Sequence, residues 1–499
     1  MSAAPEFHFE GQVLDAPAQA ARGARLAGGL RQLGLREGDV LAVLLRNALP
    51  CVDVIHACRL AGIYFCPVNW HFTADEISVL LLDSGARALI AHGDLLDAVA
   101  HVVPGDMAVL AVGDTAIARA EAYEAWLARQ APYDGPRVAP RGHMAYTSGT
   151  TGRPKGVVRA PIPLAELDAR QDAIRRVVEA SFGLRAGCRT LLPAPLYHSA
   201  PSTYLQHALQ QAERVVLMAR FDAESVLAAI EQHRIDTVYL VPIMYVRLLR
   251  LPEAVRRRYD LTSLRFVAST GAPCAPDVKR AMIEWFGPVI HETYASSEAG
   301  MVTSIDAAQA LARPGSAGRP IHDAQVRILD ETGAPCATGE IGLIYVRQPA
   351  YPDFSYRHND AARRAIERDG LISLGDMGYL DAEGYLFVCD RASDMVISGG
   401  VNIYPAEIEH RLLAYPGVAD CAVFGVPDAE YGERLHAVVE PAAGIALQAD
   451  ALRTWLQAAL SSFKVPRSIE MATLPRDDNG KIAKRRLRDA HWQGQARRV

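Results

Sequence analysis

The chain has 499 residues, 50% of them apolar and 22% charged, with a formal net charge of −5. That length exceeds what one hydrophobic core usually supports, so two or more domains are expected, and the composition excludes a disordered chain. The slightly acidic balance gives no electrostatic case for nucleic acid or an anionic membrane as the main partner.

The first residues, MSAAPEFHFEGQ, lack a basic start followed by an apolar run, and no apolar stretch is long enough to span a bilayer, so a cytoplasmic enzyme is expected. From AAPEFHFEGQ into ARGARLAGGLRQLG the pattern moves towards helical spacing. Short apolar runs then alternate with amphipathic stretches: VLAVLL (40–45), ALIAH (88–92), RVVLM (214–218), TVYLV (237–241) and LRFVAST (264–270). This alternation predicts βα units around parallel strands. LRFVAST runs into Gly271-Ala272-Pro273, a turn at the ligand-bearing end of an open α/β sheet. Past residue 320 shorter strands with Gly turns, AQVRIL, GEIGLIYVR and GYLFV, predict a β-rich subdomain. DRASDMVISGG (390–400) reads as a polar, glycine-rich junction, followed by a compact βα stretch and a basic tail. The eight cysteines show no CxxC pair or metal-ligand rhythm and read as reduced, mostly buried thiols.

One stretch, AYTSGTTGRPKGVV (145–158), holds three threonines, a serine, three glycines and a lysine. Glycine lets the backbone approach an anion, hydroxyls and free N–H groups donate to its oxygens, and Lys155 supplies a full charge. It is not a Walker A loop, because the lysine follows Gly152 by three residues and is followed by Gly156. Taken alone, such a run is equally a Gly/Thr surface turn.

The loop is one of seven ordered signatures: YTSGTTGRPKG (146–156), PLYH (195–198), GAP (271–273), ETYASSE (292–298), GD (375–376), DRASDMVISGGVNIYPAEIE (390–409) and PRDDNGKI (475–482). Together they make the chain resemble, over nearly its whole length, the adenylate-forming superfamily of acyl-CoA synthetases, luciferases and nonribosomal-peptide adenylation domains, and within it the acyl-CoA synthetases. The resemblance implies an α/β fold: a large N-terminal domain of parallel-sheet βα subdomains plus a β-rich subdomain, followed by a small mobile α+β C-terminal domain. It implies an adenylation domain over 1–391 and a mobile domain over 392–499, turning about a hinge at Ser393.

The resemblance also implies roles. Thr147, Ser148, Gly149, Thr150, Thr151 and Lys155 would close over the β- and γ-phosphates of ATP. Gly271, Ala272 and Pro273, with Glu292, Thr293, Tyr294, Ala295, Ser296 and Ser297, would line the nucleotide, Tyr294 against the adenine and Ser297 donating to the α-phosphate. Glu298, with Thr147, would hold Mg²⁺, a hard cation that takes carboxylate oxygen. Asp376 would accept from both ribose hydroxyls and Arg391 would donate to the sugar or phosphate, although an Asp after Gly is by itself usually a turn residue. His198 would sit beside the acyl site with Tyr204, Tyr239, Pro242, Met244 and Ser269, a lining that favours an apolar or aromatic acid; a buried structural histidine is the competing reading. A general-base role for His198 is disfavoured, since the carboxylate nucleophile is already ionised at pH 7. Lys481 would be the mobile catalytic lysine that bridges the attacking carboxylate and the α-phosphate; outside its setting it would read as a solvated surface lysine. Ser398, Gly399 and Gly400 would let the pantetheine arm of CoA pass close to the backbone.

The implied reaction has two steps. A carboxylate attacks Mg·ATP to give acyl-AMP and pyrophosphate, then CoA takes the acyl group and AMP leaves. The implied partners are a small carboxylic acid, ATP and CoA, with no nucleic acid, no membrane insertion and a homodimer as the candidate assembly. An adenylating enzyme that loads a carrier-protein thiol and a non-catalytic nucleotide sensor stay open, the sensor disfavoured by the presence of Glu298 and Lys481. Three departures from the family pattern stand out: Ser297 where most relatives carry Thr, Ser393 where they carry Asp or Lys, and a leading segment that reads as shortened.

Overall fold

In a computed structural model of the protein, the described residues are 5–147, 155–398, 401–476, 482 and 484–492. The chain forms two compact units: the first spans 1–314, 318–325 and 347–372, the second 315–317, 326–346 and 373–499.

The first unit is built on two parallel sheets. One runs in the order Ile290–Glu292, Phe266–Ser269, Thr237–Leu240, Arg189–Leu192, Arg214–Leu217, Glu6–Phe9 and Gln12–Leu14, parallel except for the last strand. The other runs Tyr64–Pro67, Val40–Leu44, Ala86–His92, Ala108–Val112 and Glu121–Ala122, all parallel. Val40–Leu44 is buried at every position, as a strand with both faces covered must be, which is why its apolar run is continuous. Helix starts and stops follow local chemistry. Asp15 accepts from the Ala18 N–H at the head of Ala16–Gln32, and Thr73 with Glu76 forms a capping box ahead of Ala74–Ser84.

The structure corrects the reading of the N-terminus. Glu6–Phe9 is a strand rather than part of a helical stretch, and it pairs parallel with Arg214–Leu217. It turns back into Gln12–Leu14 through Glu10 and Gly11 at φ 43° and 79°, the positive-φ pair that a two-residue hairpin demands.

A smaller antiparallel sheet of Ala145–Thr147, Lys155–Arg159 and Phe354–Tyr356 completes the first unit. The second unit carries the expected β-rich texture: Gln325–Leu329, Gly342–Arg347, Leu371–Leu380 and Leu386–Arg391 lie side by side. Its C-terminal part is an α+β body in which Val418–Asp428 and Gly432–Pro441 form a long hairpin, Ser468–Met471 adds a parallel strand, and helices Pro405–Leu413 and Ala449–Gln457 bury Ile408, Leu412, Leu452 and Leu456 in its core. All eight cysteines are free thiols and six are buried. No helix among the described residues is long and apolar enough to cross a membrane.

Candidate functional site

In the first unit, Thr147 and Lys155 face each other across the hairpin that closes the Gly/Thr loop; Ser148, Gly149, Thr150 and Thr151 lie outside the described residues. The partner strand Phe354–Tyr356 brings Tyr356 beneath Lys155, whose Nζ stands 5.1 Å from the ring centroid. Tyr356 Oη donates to Glu298 Oε1 at 3.1 Å, and Thr147 Oγ1 donates to the same oxygen at 3.4 Å. Burial, followed by the Glu298 charge, pushes the Tyr356 phenol up, so it stays a donor at neutral pH. Glu298 is 8% exposed, and its second oxygen, Oε2, accepts no hydrogen bond among the described residues.

Two residues that sequence reasoning missed fix this carboxylate. Tyr356 is one. The other is Arg159, a buried guanidinium that donates to the carbonyls of Ser297 and Glu298, both at 2.8 Å, and of Pro352 at 2.9 Å, over the ring of Tyr351. Its only sequence signal is an arginine ending the apolar strand after the Gly/Thr loop.

The start of the same motif is built differently. Glu292 ends the strand Ile290–Glu292, where Lys279 of the helix Pro276–Phe286 reaches it at 2.8 Å, both side chains buried. Burial pushes the Glu292 carboxyl up and Lys279 opposes it. Thr293 donates to the Ser181 carbonyl at 3.4 Å, and Thr270 Oγ1 donates to the Thr293 carbonyl at 2.8 Å. Tyr294 is half-buried, its carbonyl accepting from Val302 N–H. Ala295-Ser296 pairs with Gly300-Met301, and Ser296 Oγ accepts from Ala299 N–H at 2.8 Å, which shapes the turn carrying Ser297 and Glu298. Gly271, Ala272 and Pro273 form the expected exposed turn beyond the strand Phe266–Ser269.

Of the expected acyl-site residues, His198 precedes the helix Ser199–Gln211, its ring 4.3 Å from that of Tyr197. Pro242 opens the helix Pro242–Leu249, on which Met244 and Tyr245 are fully buried, and Ser269 is buried at the end of its strand. Tyr204 and Tyr239 stand in the core, edge-on to Phe182 and to each other, with the Tyr204 hydroxyl bonded to Thr190. Sequence reading also missed a relay beside His198. Gln206 donates to His143 Nδ1 at 3.0 Å, and His143 Nε2 lies 2.8 Å from Ser199 Oγ; burial pushes His143 down to about 4, so it is neutral.

In the second unit, Asp376 and Arg391 are cross-strand neighbours, with Arg391 Nε 3.2 Å from Asp376 Oδ1. Asp376 is buried to 7% exposure while Arg391 is half-exposed. The preceding Gly375 sits at φ 82°, a conformation that L side chains adopt at a cost, and its carbonyl accepts from Ala392 N–H at 2.7 Å. Arg391 thereby joins Asp376 directly to the turn that contains Ser393. Ser398 pairs with Val401 and Gly432; Gly399, Gly400 and Lys481 lie outside the described residues.

No group of three His, Cys, Asp or Glu side chains that could hold a metal ion occurs among the described residues. A single carboxylate with one open oxygen instead suits a magnesium ion delivered with phosphate and water oxygens, since Mg²⁺ is commonly bound through one or two carboxylates plus substrate phosphates.

Comparison with known proteins finds relatives along nearly the whole chain. The family model "AMP-binding enzyme" matches residues 6–351, and "AMP-binding enzyme C-terminal domain" matches 407–481. The chain is 36% identical over 475 residues to feruloyl-CoA synthase of an Amycolatopsis species, covering 94% of this chain and 92% of the relative. It is 32% identical over 491 residues to the fatty acid–[acyl-carrier-protein] ligase ScoC of Streptomyces coeruleorubidus, covering 95% and 91%. Among solved structures it is similar to the o-succinylbenzoate CoA synthetase MenE of Bacillus subtilis in complex with its acyl-adenylate, with TM-score 0.81, 27% identity and coverage of 98% and 96%. With a family model over residues 6–351 and relatives above 30% identity over more than nine-tenths of its length, the chain belongs to the AMP-binding enzyme family.

Proposed function

We propose that this enzyme is an ATP-dependent acid–CoA ligase that converts an apolar or aromatic carboxylic acid to acyl-AMP with release of pyrophosphate, then transfers the acyl group to CoA with release of AMP. The observation that carries this reading is Glu298, a buried carboxylate with one oxygen held by Thr147 and Tyr356 and the other open, with Lys155 over the ring of the same Tyr356. In it, Thr147, Ser148, Gly149, Thr150, Thr151 and Lys155 receive the β- and γ-phosphates, and Glu298 with Thr147 receives the magnesium that arrives with ATP. Magnesium supplies charge neutralisation on the phosphates. Ser297, its carbonyl pinned by Arg159, turns its hydroxyl to the α-phosphate, Tyr294 lies against the adenine, and Asp376 and Arg391 take the ribose. Glu292 and Thr293, each already bonded within the first unit, hold the strand end from which Tyr294 to Glu298 project.

Lys481 bridges the acid carboxylate and the α-phosphate during adenylation, drawing nucleophile and electrophile together and offsetting the developing charge. The segment beyond 391, turning at Ser393, then presents Ser398, Gly399 and Gly400 to the pantetheine arm. The acid lies against His198, Pro242, Met244 and Ser269, and the feruloyl-CoA synthase likeness supports an aromatic acid. The enzyme works in the cytoplasm, with a homodimer as its assembly.

A second reading is favoured by the likeness to a carrier-protein ligase: the acyl acceptor is a pantetheine thiol on a carrier protein rather than free CoA. A panel of carboxylic acids, scored for pyrophosphate release with and without CoA and with the products identified by mass, separates the two. Acyl-CoA is the expected product; acyl-AMP that accumulates unchanged in the presence of CoA, and transfers only to a phosphopantetheinylated carrier, establishes the second.

A further inference from the structure

The short helix Lys484–Asp489 begins three residues after Lys481, and its attachments lie within the second unit. Lys484 donates to Glu409 Oε2 at 2.8 Å and stands 2.7 Å from Oε1, which also accepts from Val423 N–H at 2.6 Å. Ile482 and Leu487 pack against Phe424, Val426 and Leu474. Beyond the helix, Trp492 Nε1 donates to the Gly425 carbonyl at 3.0 Å. Ahead of Lys481, Arg476 is ion-paired with Asp420 and with Glu440, the latter at 3.0 Å, and it bridges Ile482 main chain to main chain. The chain on either side of the lysine is therefore fastened to the same long hairpin.

The Lys484–Glu409 pair reaches the helix Pro405–Leu413, and Arg488 reaches the turn after Arg391. Arg488 Nη1 donates to the Ser393 carbonyl at 3.0 Å and to Asp394 Oδ1 at 3.4 Å. The turn it reaches is closed on itself, with the N–H groups of Asp394 and Met395 donating to the Arg391 carbonyl at 2.9 and 3.0 Å. One nitrogen of the guanidinium, Nη1, thus serves a carbonyl and a carboxylate together, and the rigid planar group to which it belongs fixes orientation better than a compact ammonium on a flexible stem.

We propose that Arg488 is a positioning residue for adenylation: by holding the Ser393 carbonyl and Asp394 it ties the hinge turn to the helix that follows Lys481, so that the lysine is placed by the hinge. The proposal rests on the reading of Lys481 and Ser393 given above. Misplacing a reacting group by about an ångström can cost about a hundredfold in rate, so loss of this tie is read in catalysis before it is read in folding.

The test compares Arg488→Ala, Arg488→Lys and Lys481→Ala with the parent in two separate assays, single-turnover pyrophosphate release from acid plus ATP and thioester formation from purified acyl-AMP plus CoA, with thermal melts alongside. Arg488→Ala is expected to slow pyrophosphate release about tenfold or more at an unchanged ATP KM, while thioester formation stays within about threefold. Arg488→Lys, which keeps the charge and one donor, is expected to fall between it and the parent and serves as the informative variant if the alanine form does not fold. Equal losses in both assays, tracking the drop in melting temperature, overturn the proposal in favour of a merely structural ion pair, as does full adenylation by a folded Arg488→Ala. If Lys481→Ala itself adenylates normally, the underlying reading of the lysine fails; if only the Arg488 variants are normal, the tie alone fails.

Discussion

Glu292 and Glu298 belong to one heptapeptide, ETYASSE, yet the fold gives them opposite surroundings. Around Glu292 a buried lysine from a neighbouring helix takes the charge, Thr293 is spent on a main-chain carbonyl, and the strand end is closed. Around Glu298 the stabilising groups are neutral hydroxyls on one oxygen, with Arg159 used up on main-chain carbonyls rather than on the carboxylate. The difference teaches where binding capacity resides. A carboxylate already matched by a cation has little to gain from a magnesium ion, whereas one held by hydroxyls keeps its full charge for a ligand.

The comparison can be broken from either side. Glu292→Gln leaves the Lys279 ammonium buried without its counter-charge, and losing one partner of such a pair costs about 3–5 kcal/mol. A large drop in the thermal midpoint is expected, with pyrophosphate release by the surviving folded protein unchanged; Glu292→Gln with Lys279→Met should regain much of the loss. Glu298→Gln should do the reverse, lowering pyrophosphate release on the order of a hundredfold because the amide keeps the shape and loses the charge, with the melting curve little moved. Asp376→Ala should raise the ATP KM about tenfold, since charge-assisted hydrogen bonds to the ribose vanish while the chemistry is left alone. An unchanged nucleotide affinity returns Asp376 to a turn residue paired with Arg391. Tyr356→Phe, which removes one of the two hydroxyls on Glu298, should cost about 1 kcal/mol, a several-fold fall in adenylation visible in initial rates.

Much of the fold is legible in the sequence because parallel strands write themselves as continuous apolar runs: VLAVLL and TVYLV each fall on an observed strand, Val40–Leu44 and Thr237–Leu240. EFHF hides because its alternating polar residues suit a strand beside a sheet edge as well as an amphipathic helix start, and only pairing with Arg214–Leu217 decides between them. The candidate site is legible as a set of residues and illegible as a set of partners. Nothing local joins Tyr356 to Glu298, because the link runs through a three-stranded sheet assembled from distant segments. Likewise the motif cannot say that Glu292 meets Lys279, whose position depends on how the helix Pro276–Phe286 packs on its strand. The family resemblance implies Tyr204 and Tyr239 as acyl-site lining; in the fold both are fully buried, edge-on to Phe182 and to each other, a packing that no local pattern in the sequence shows.

The most direct test of the account is a magnesium titration of pyrophosphate release, run in parallel on the parent enzyme, Glu298→Gln and Glu292→Gln at saturating ATP and acid. If Glu298 holds the magnesium of Mg·ATP, Glu298→Gln requires far more magnesium and reaches a much lower plateau, while folded Glu292→Gln follows the parent curve. A parent-like magnesium dependence for Glu298→Gln, or a shifted one for Glu292→Gln, contradicts the assignment of the two carboxylates.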